Sequence, residues 1–317
     1  SVQDILMKMR GRMKKLRKIL IAIILIFLLL VILGANYFFE IAMTKKAFKN
    51  GITEQENSTV KRDYKTDYFN KNNKEVHIKS STGVELTGYE FIKDDKRPFV
   101  IVVHGYTSSS KMMGNHIYEF NKRNYNVLAV DLIAHGKSGG DIISMGGYDS
   151  KDVRLWIDYI NEKYHNPKIL LFGVSMGAAT VINTIDENLP DNVVAFIEDS
   201  GYLTLTGEFT QQAGKLYNIP YFPMIPMLSL TTKIRGGFFF SEVDATDALK
   251  KTKLPALILH GSADNFVPTQ NAYDIYELIN SPKMIYITKG AKHTDAFMSD
   301  SKNYWTAIDD FLKKYVI

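Results

Sequence analysis

From Lys74 onward the chain alternates short apolar runs with segments whose apolar residues recur at helical spacing. Phe99–Val103 (FVIVV), Val127–Val130 (VLAV), Lys168–Phe172 (KILLF), Val193–Ile197 (VVAFI) and Ala256–Leu259 (ALIL) are too short for helices and carry no polar alternation. Such runs suit strands of a parallel sheet covered on both faces. The pattern predicts strands at 75–80, 84–92, 98–103, 126–131, 168–173, 193–198, 255–260 and 283–288. It predicts helices at 110–124, 149–164, 176–187, 268–280 and 300–315. The first two strands alternate more strongly, as an antiparallel edge does. The expected architecture is α/β, with a mostly parallel central sheet flanked by helices. Residues 202–247 break the rhythm. They are rich in aromatics and hold Pro220, Pro223 and Pro226 within IPYFPMIPM, which disfavours one continuous helix and leaves a kinked segment. This section reads as a helical cap inserted into the domain.

A different pattern precedes the domain. Ile19–Phe39 is 21 residues without a charge, Asn36 being its one strongly polar side chain. At 1.5 Å per residue it reaches about 30 Å, the thickness of a bilayer's hydrocarbon core. A signal peptide is the competing reading, but its apolar core is usually about 7–15 residues, and Leu33-Gly34-Ala35 is a poor cleavage match. The expected organisation is a basic cytoplasmic tail at 1–18, a transmembrane anchor at 19–39, a polar connector at 40–73 and the α/β domain at 74–317, with the cap at about 202–247.

Charge sharpens this picture. The net charge of the 317 residues is +5, yet Lys8, Arg10, Arg12, Lys14, Lys15, Arg17 and Lys18 oppose only Asp4 in the tail, so the rest is close to neutral. That distribution offers no basic surface for a nucleic-acid partner. With Lys45, Lys46 and Lys49 beyond the span, it predicts an N-terminus inside and the bulk of the chain outside. A hydrophobic share of 45% with 12% aromatics is a folded composition. The absence of cysteine excludes disulfides, thiolate metal sites and a cysteine nucleophile.

Candidate chemistry centres on Gly173-Val174-Ser175-Met176-Gly177, at the switch from a strand to a helix. A serine held in that tight turn needs small neighbours and points its hydroxyl at the helix N-terminus, where developing negative charge is favoured. A serine is a weak nucleophile without a base. Of seven histidines, His293 alone lies between the last strand and the last helix, where a base falls in the order Ser, Asp, His. The orienting acid is expected after the penultimate strand, which nominates Asp264. Asp199 is an alternative placement, and Asp295 is too near His293 along the backbone to serve its far ring nitrogen. Two backbone N–H groups, of Met176 and Tyr106, are the expected oxyanion donors. His104, preceding Gly105, reads as a structural hydrogen-bonder.

On these residues the stretch Lys74–Ile317 resembles the α/β-hydrolase superfamily. The resemblance rests on His104-Gly105-Tyr106, Asp131 with His135-Gly136-Lys137-Ser138-Gly139, the Ser175 turn, His260-Gly261-Ser262-Ala263-Asp264 and His293. It looks like membrane-anchored bacterial esterases, lipases or prolyl-oligopeptidase-like hydrolases. The resemblance implies a Ser175–His293–Asp264 triad and a chiefly structural role for the Asp131–Ser138 loop. Two departures matter: His104 is followed by one glycine rather than three, and no propeller precedes the domain. No His-Glu-x-x-His, P-loop or dinucleotide fingerprint occurs, so neither a metal nor a cofactor is expected.

The leading expectation is a serine hydrolase of carboxylic esters, acting through an acyl-enzyme on a small or lipid-like substrate. Tyr106, Tyr202, Phe222, Met227 and Phe266 are the expected pocket residues. A peptidase, thioesterase or acyltransferase using the same residues remains open, as does a membrane-tethered binding module without turnover.

Overall fold

All eight expected strands form and join one sheet. The structure, a computed structural model, describes residues 2–50 and 64–316. Part of the expected connector, 51–63, lies outside the described residues. In chain order the elements are α1 (Val2–Ala42), α2 (Ala47–Asn50), α3 (Thr66–Asn72), β1 (Lys74–Lys79), β2 (Glu85–Phe91), β3 (Phe99–Val103), α4 (Gly114–Lys122), β4 (Asn126–Val130), α5 (Gly147–Tyr164), β5 (Ile169–Val174), α6 (Met176–Thr184), β6 (Val193–Asp199), α7 (Leu205–Tyr217), α8 (Tyr221–Gly236), α9 (Thr246–Lys251), β7 (Ala256–Gly261), α10 (Gln270–Leu278), β8 (Lys283–Thr288), α11 (Ala296–Ser299) and α12 (Ser301–Tyr315). The sheet order is β1-β2-β4-β3-β5-β6-β7-β8. β2 runs antiparallel to β1 and β4, and the remaining neighbours are parallel.

The unbroken apolar runs are explained by two cores, one on each face. Along β3, Phe99, Ile101 and Val103 enter one core while Val100 and Val102 enter the other. β5 does the same with Ile169 and Leu171 against Leu170 and Phe172. A period-two chain buried on both sides has no position left for a polar residue. The parallel strands therefore end together at one edge of the sheet, and the loops leaving that edge carry the chemistry.

Two regions differ from expectation. Within the polar connector, whose sequence shows no helical or strand period, α2 and α3 form. At two turns α3 is too short to show a period, and packing holds it: Phe69 is buried and the Tyr68 hydroxyl donates to Asn121 at 2.6 Å. The apolar span, expected as a transmembrane anchor, is continuous in α1, whose later turns pack against the domain. Val31, Ala35 and Phe39 are buried, followed by Met43 and Ala47. Gly34 lies against Met224 of α8, and the Arg235 guanidinium stacks 4.3 Å from the Phe39 ring centre. α1 is long and apolar enough to cross a membrane.

The cap is a helix pair. Thr204 caps α7 by accepting the Gly207 N–H at 3.0 Å. α8 is interrupted at Phe222 (φ −98°, ψ 135°), and Pro223 and Pro226 follow the break. Pro223 opens the resumed helix, where its missing N–H has no carbonyl partner in any case, and Pro226 lies within the first turn.

Candidate active site

The backbone of Ser175 is held at φ 56°, ψ −120°, between the end of β5 and the start of α6. This strained conformation depends on close approach by its neighbours. A Cβ on Gly173 would sit 2.2 Å from the Gly177 carbonyl oxygen, and one on Gly177 would sit 2.2 Å from the Val103 carbonyl oxygen. Both glycines are required because backbone, rather than movable side chain, occupies the space. The Ser175 N–H donates to the Asp199 carbonyl at 2.7 Å, tying the turn to the end of β6.

The Ser175 Oγ lies 2.9 Å from His293 Nε2, and His293 Nδ1 lies 2.7 Å from Asp264 Oδ2. An ionised carboxylate only accepts, so Nδ1 carries the proton and Nε2 is free to accept from the serine hydroxyl. The three side chains come from the ends of β5, β7 and β8. The loop holding His293 approaches β7 because position 261 is glycine: a Cβ there would meet the Ala291 carbonyl oxygen at 2.3 Å. Ser175 is 2% exposed, and Asp264 and His293 are similarly buried.

Asp264 is fixed from several sides. Its Oδ1 accepts the N–H groups of Phe266 (2.9 Å) and Val267 (3.0 Å), while Oδ2 also faces His260 Nε2 at 3.1 Å. Burial alone would raise its carboxyl. The positive charge that His293 carries once protonated and hydrogen bonds from His260 and His293 outweigh burial and hold it at about 2. The acid is therefore ionised under ordinary conditions. Asp199 and Asp295, the alternatives considered, do not take this place. Asp199 accepts from Tyr304 Oη at 2.7 Å and Ser200 Oγ at 2.9 Å. The sequence placed His260 in the motif that ends at Asp264 without giving it a role.

Below this network lies Glu198. It is fully buried, accepts the Gly201 N–H at 2.9 Å through Oε2, and has no partner at Oε1 among the described residues. Burial raises its carboxyl to about 7 against the opposing influence of His260 and the Gly201 N–H. Its folded pKa exceeds the ordinary 4.5. The stabilisation is thus complete below that value and is lost as pH rises through 7. Glu198→Gln should melt above wild type at pH 8 by the equivalent of about 3 kcal/mol, with the gap closing toward pH 4. Thermal melts of both proteins across that range check this; a pH-independent gap would refute it.

The remaining histidines of the resemblance brace the loop of Tyr106. His104 Nδ1 donates to Gly105 O at 2.7 Å, and its Nε2 accepts the Leu132 N–H at 3.1 Å. Burial lowers His104 to about 4, so it is neutral. His135 Nε2 accepts the Thr107 N–H at 3.2 Å, and Asp131 accepts Ser110 N (2.8 Å), Ser110 Oγ (2.7 Å) and Lys137 N (2.9 Å).

An apolar cavity opens on Ser175. Of the residues nominated from the sequence, Tyr106, Tyr202 and Phe266 line it, together with Phe209, Met145 and Ala42. Phe222 and Met227 do not. The break at Phe222 turns its ring outward, 75% exposed, and Met227 packs against the core from α8. Phe209 belonged to the visible aromatic cluster of the cap. Ala42 carried no sequence signal, since its role arises from docking of α1. A second cleft, lined by polar groups including Thr107, Ser108, Asn115 and Thr294, lies on the other side of Tyr106.

Residues 94–233 match the family model described as serine aminopeptidase, S33. The chain is 26% identical over 236 residues to the uncharacterized protein YqkD of Bacillus subtilis, covering 74% of this chain and 77% of that one. It is 28% identical over 203 residues to the monoglyceride lipase of Homo sapiens, covering 53% and 65% respectively. Among solved structures, the Pyrococcus furiosus esterase Pf2001 superposes with a TM-score of 0.65 at 24% identity, over 82% of this chain and 97% of the other. The sheet order and the superposition show the α/β-hydrolase fold, and the stretch from β3 to α8 is similar to a family of hydrolases.

Proposed function

We propose that the chain is a membrane-anchored serine hydrolase of carboxylic esters, with Ser175, His293 and Asp264 as its triad. The observation that carries this reading is the buried Ser175–His293–Asp264 hydrogen-bond series opening onto an apolar cavity. Ser175 Oγ attacks the ester carbonyl as its proton passes to His293 Nε2. The oxyanion forms against the N–H groups of Met176 and Tyr106. Collapse breaks the carbonyl–alkoxy bond, and His293 returns the proton to the leaving alcohol. Water then attacks the acyl-enzyme, again losing a proton to His293, and the acid leaves with Ser175 restored. Asp264 holds the imidazole tautomer and stabilises the imidazolium. A fluorophosphonate should label the full chain in detergent at Ser175 and leave Ser175→Ala unlabelled. Equal labelling of the two would refute the assignment.

α1 is the anchor in this reading. Removal of a leader would strip Phe39, Met43 or their supporting turns from the core, which favours retention over cleavage. The basic residues before the span orient the hydrolase outside. Protease added to intact cells should reach the hydrolase domain and spare a tag placed before Lys8; the reverse pattern would overturn the orientation.

Aminopeptidase action is the second reading, favoured by Glu208, which lines the largely apolar cavity and accepts from Gln212 Nε2 at 2.7 Å. A carboxylate there would pair with a substrate α-ammonium. Turnover of aminoacyl p-nitroanilides above that of p-nitrophenyl acetate, abolished by Glu208→Gln, would establish it.

A further inference from the structure

A second apolar cavity lies between α1, α7 and α8, and it and the cavity at Ser175 share Ala42, Tyr106, Phe209 and Gln212 in their walls. The outer one is bounded by Phe38 and Ile41 of α1, Ala213 and Tyr217 of α7, and Met224 and Ile225 of α8. The two therefore adjoin across this shared wall, one lined by Ser175 and the other by the membrane helix, and an acyl chain that displaces the wall would meet one apolar corridor. The inner end is fastened to the oxyanion loop, because the Tyr106 hydroxyl donates to the Ala42 carbonyl at 2.8 Å.

The depth of the outer end follows from α1. Its uncharged stretch ends at Phe39, and the next residue, Glu40, pairs with Lys46 and Arg235. This charge cluster marks the aqueous border. The domain nevertheless covers α1 back to Val31, about 12 Å further along the apolar stretch. α8 crosses here: Arg235 is level with Asn36 and Glu40, while Met224 meets Gly34, deeper in the span. Next to Met224, the deep end of α8 exposes Tyr221 (50%) and Phe222 (75%). Exposed aromatics at that level match the interfacial zone of a bilayer. α1 itself exposes Leu33 and Tyr37.

We infer that the enzyme draws its substrate laterally from the bilayer. The long acyl chain of a membrane lipid ester enters between α1 and the cap and lies along the corridor, with its ester carbonyl at Ser175. The polar alcohol portion faces the cleft beyond Tyr106, lined by Thr107, Ser108 and Asn115. Each CH₂ buried in the corridor favours a long chain, and a chain already in the leaflet need not cross water to reach it. This inference rests on the serine ester hydrolase reading and specifies the substrate class of that site.

The test uses the full chain reconstituted in phosphatidylcholine vesicles and two probes of Ser175, a long-chain alkyl fluorophosphonate dissolved in the bilayer and a short water-soluble one. Ala213→Trp fills the outer corridor; Phe222→Asp places a charge on the exposed deep end of α8. Each should lower the ratio of long-chain to short-chain labelling rates roughly tenfold or more, as loss of burial of two or more methylenes implies. Phe222 is surface-exposed, so this variant keeps the test valid if Ala213→Trp fails to fold. An unchanged ratio in Phe222→Asp and in folded Ala213→Trp, or preferential labelling of wild type by the short probe, overturns lateral entry while leaving the serine hydrolase intact. Failure of both probes to label Ser175 in wild type removes the hydrolase reading and this inference with it.

Discussion

Ser175→Ala and His293→Ala are each expected to lower turnover of p-nitrophenyl acetate by roughly 10⁴–10⁶-fold with the fold retained, because residues that act as one unit fail together. Oγ and Nε2 are 2.9 Å apart, so deleting either removes the proton transfer that makes the hydroxyl nucleophilic. The double variant should be scarcely slower than either single one. Asp264→Asn should cost about 10⁴-fold, since an amide donor facing Nδ1 favours the tautomer with its proton on Nε2. Asp199→Asn should cost less than about tenfold in rate, because it alters hydrogen bonds to Tyr304 and Ser200 rather than to the imidazole. Steady-state rates of purified, folded variants decide this, and a larger loss in Asp199→Asn than in Asp264→Asn would transfer the acid's role.

Gly173→Ala and Gly177→Ala are expected to lose about 3 kcal/mol or more of stability, enough to unfold a marginal domain. The added methyl of either would meet a carbonyl oxygen at 2.2 Å, and the sheet and α6 fix both oxygens. Relief requires moving β5 away from α6 or α6 away from β3. Gly214→Ala, within α7 and with open space around its Cβ position, should instead gain about 0.5–1 kcal/mol from helix propensity. Chemical denaturation of the three variants in the same detergent checks the contrast. Comparable stability of Gly177→Ala and wild type would mean that the turn is less constrained than its geometry indicates.

Much of the fold was legible because burial on both faces leaves a direct trace. A strand such as β3 or β5 must be apolar at every position, and a glycine-bounded serine after such a strand marks the turn into α6. The antiparallel edge was visible in the alternation of β1 and β2. The Ser175 and His293 positions were nominated by their places relative to strands, a one-dimensional property. α3 escaped notice because two turns are shorter than any reliable period and depend on Phe69 finding its core.

The pairing of Asp264 with His293, the cavity walls and the docking of α1 belong to three dimensions. His293 is 118 residues from Ser175 and 29 from Asp264, and local spacing favours Asp264 over Asp199 only by order along the chain. Which carboxylate reaches Nδ1 follows from how β6, β7 and β8 lie side by side. Phe222 and Met227 were reasonable pocket candidates by composition, but a break in one helix turned the first outward and the crossing of α8 directed the second into the core. The apolar span shows the same division. Its hydrophobicity and length state that Ile19–Phe39 belongs in a low-dielectric environment. Hydrophobicity is non-directional, however, so it does not say whether lipid or protein supplies that environment. Packing of Val31, Ala35 and Phe39 against the cap answers it turn by turn, and thereby brings the end of α1 to the wall of the cavity at Ser175.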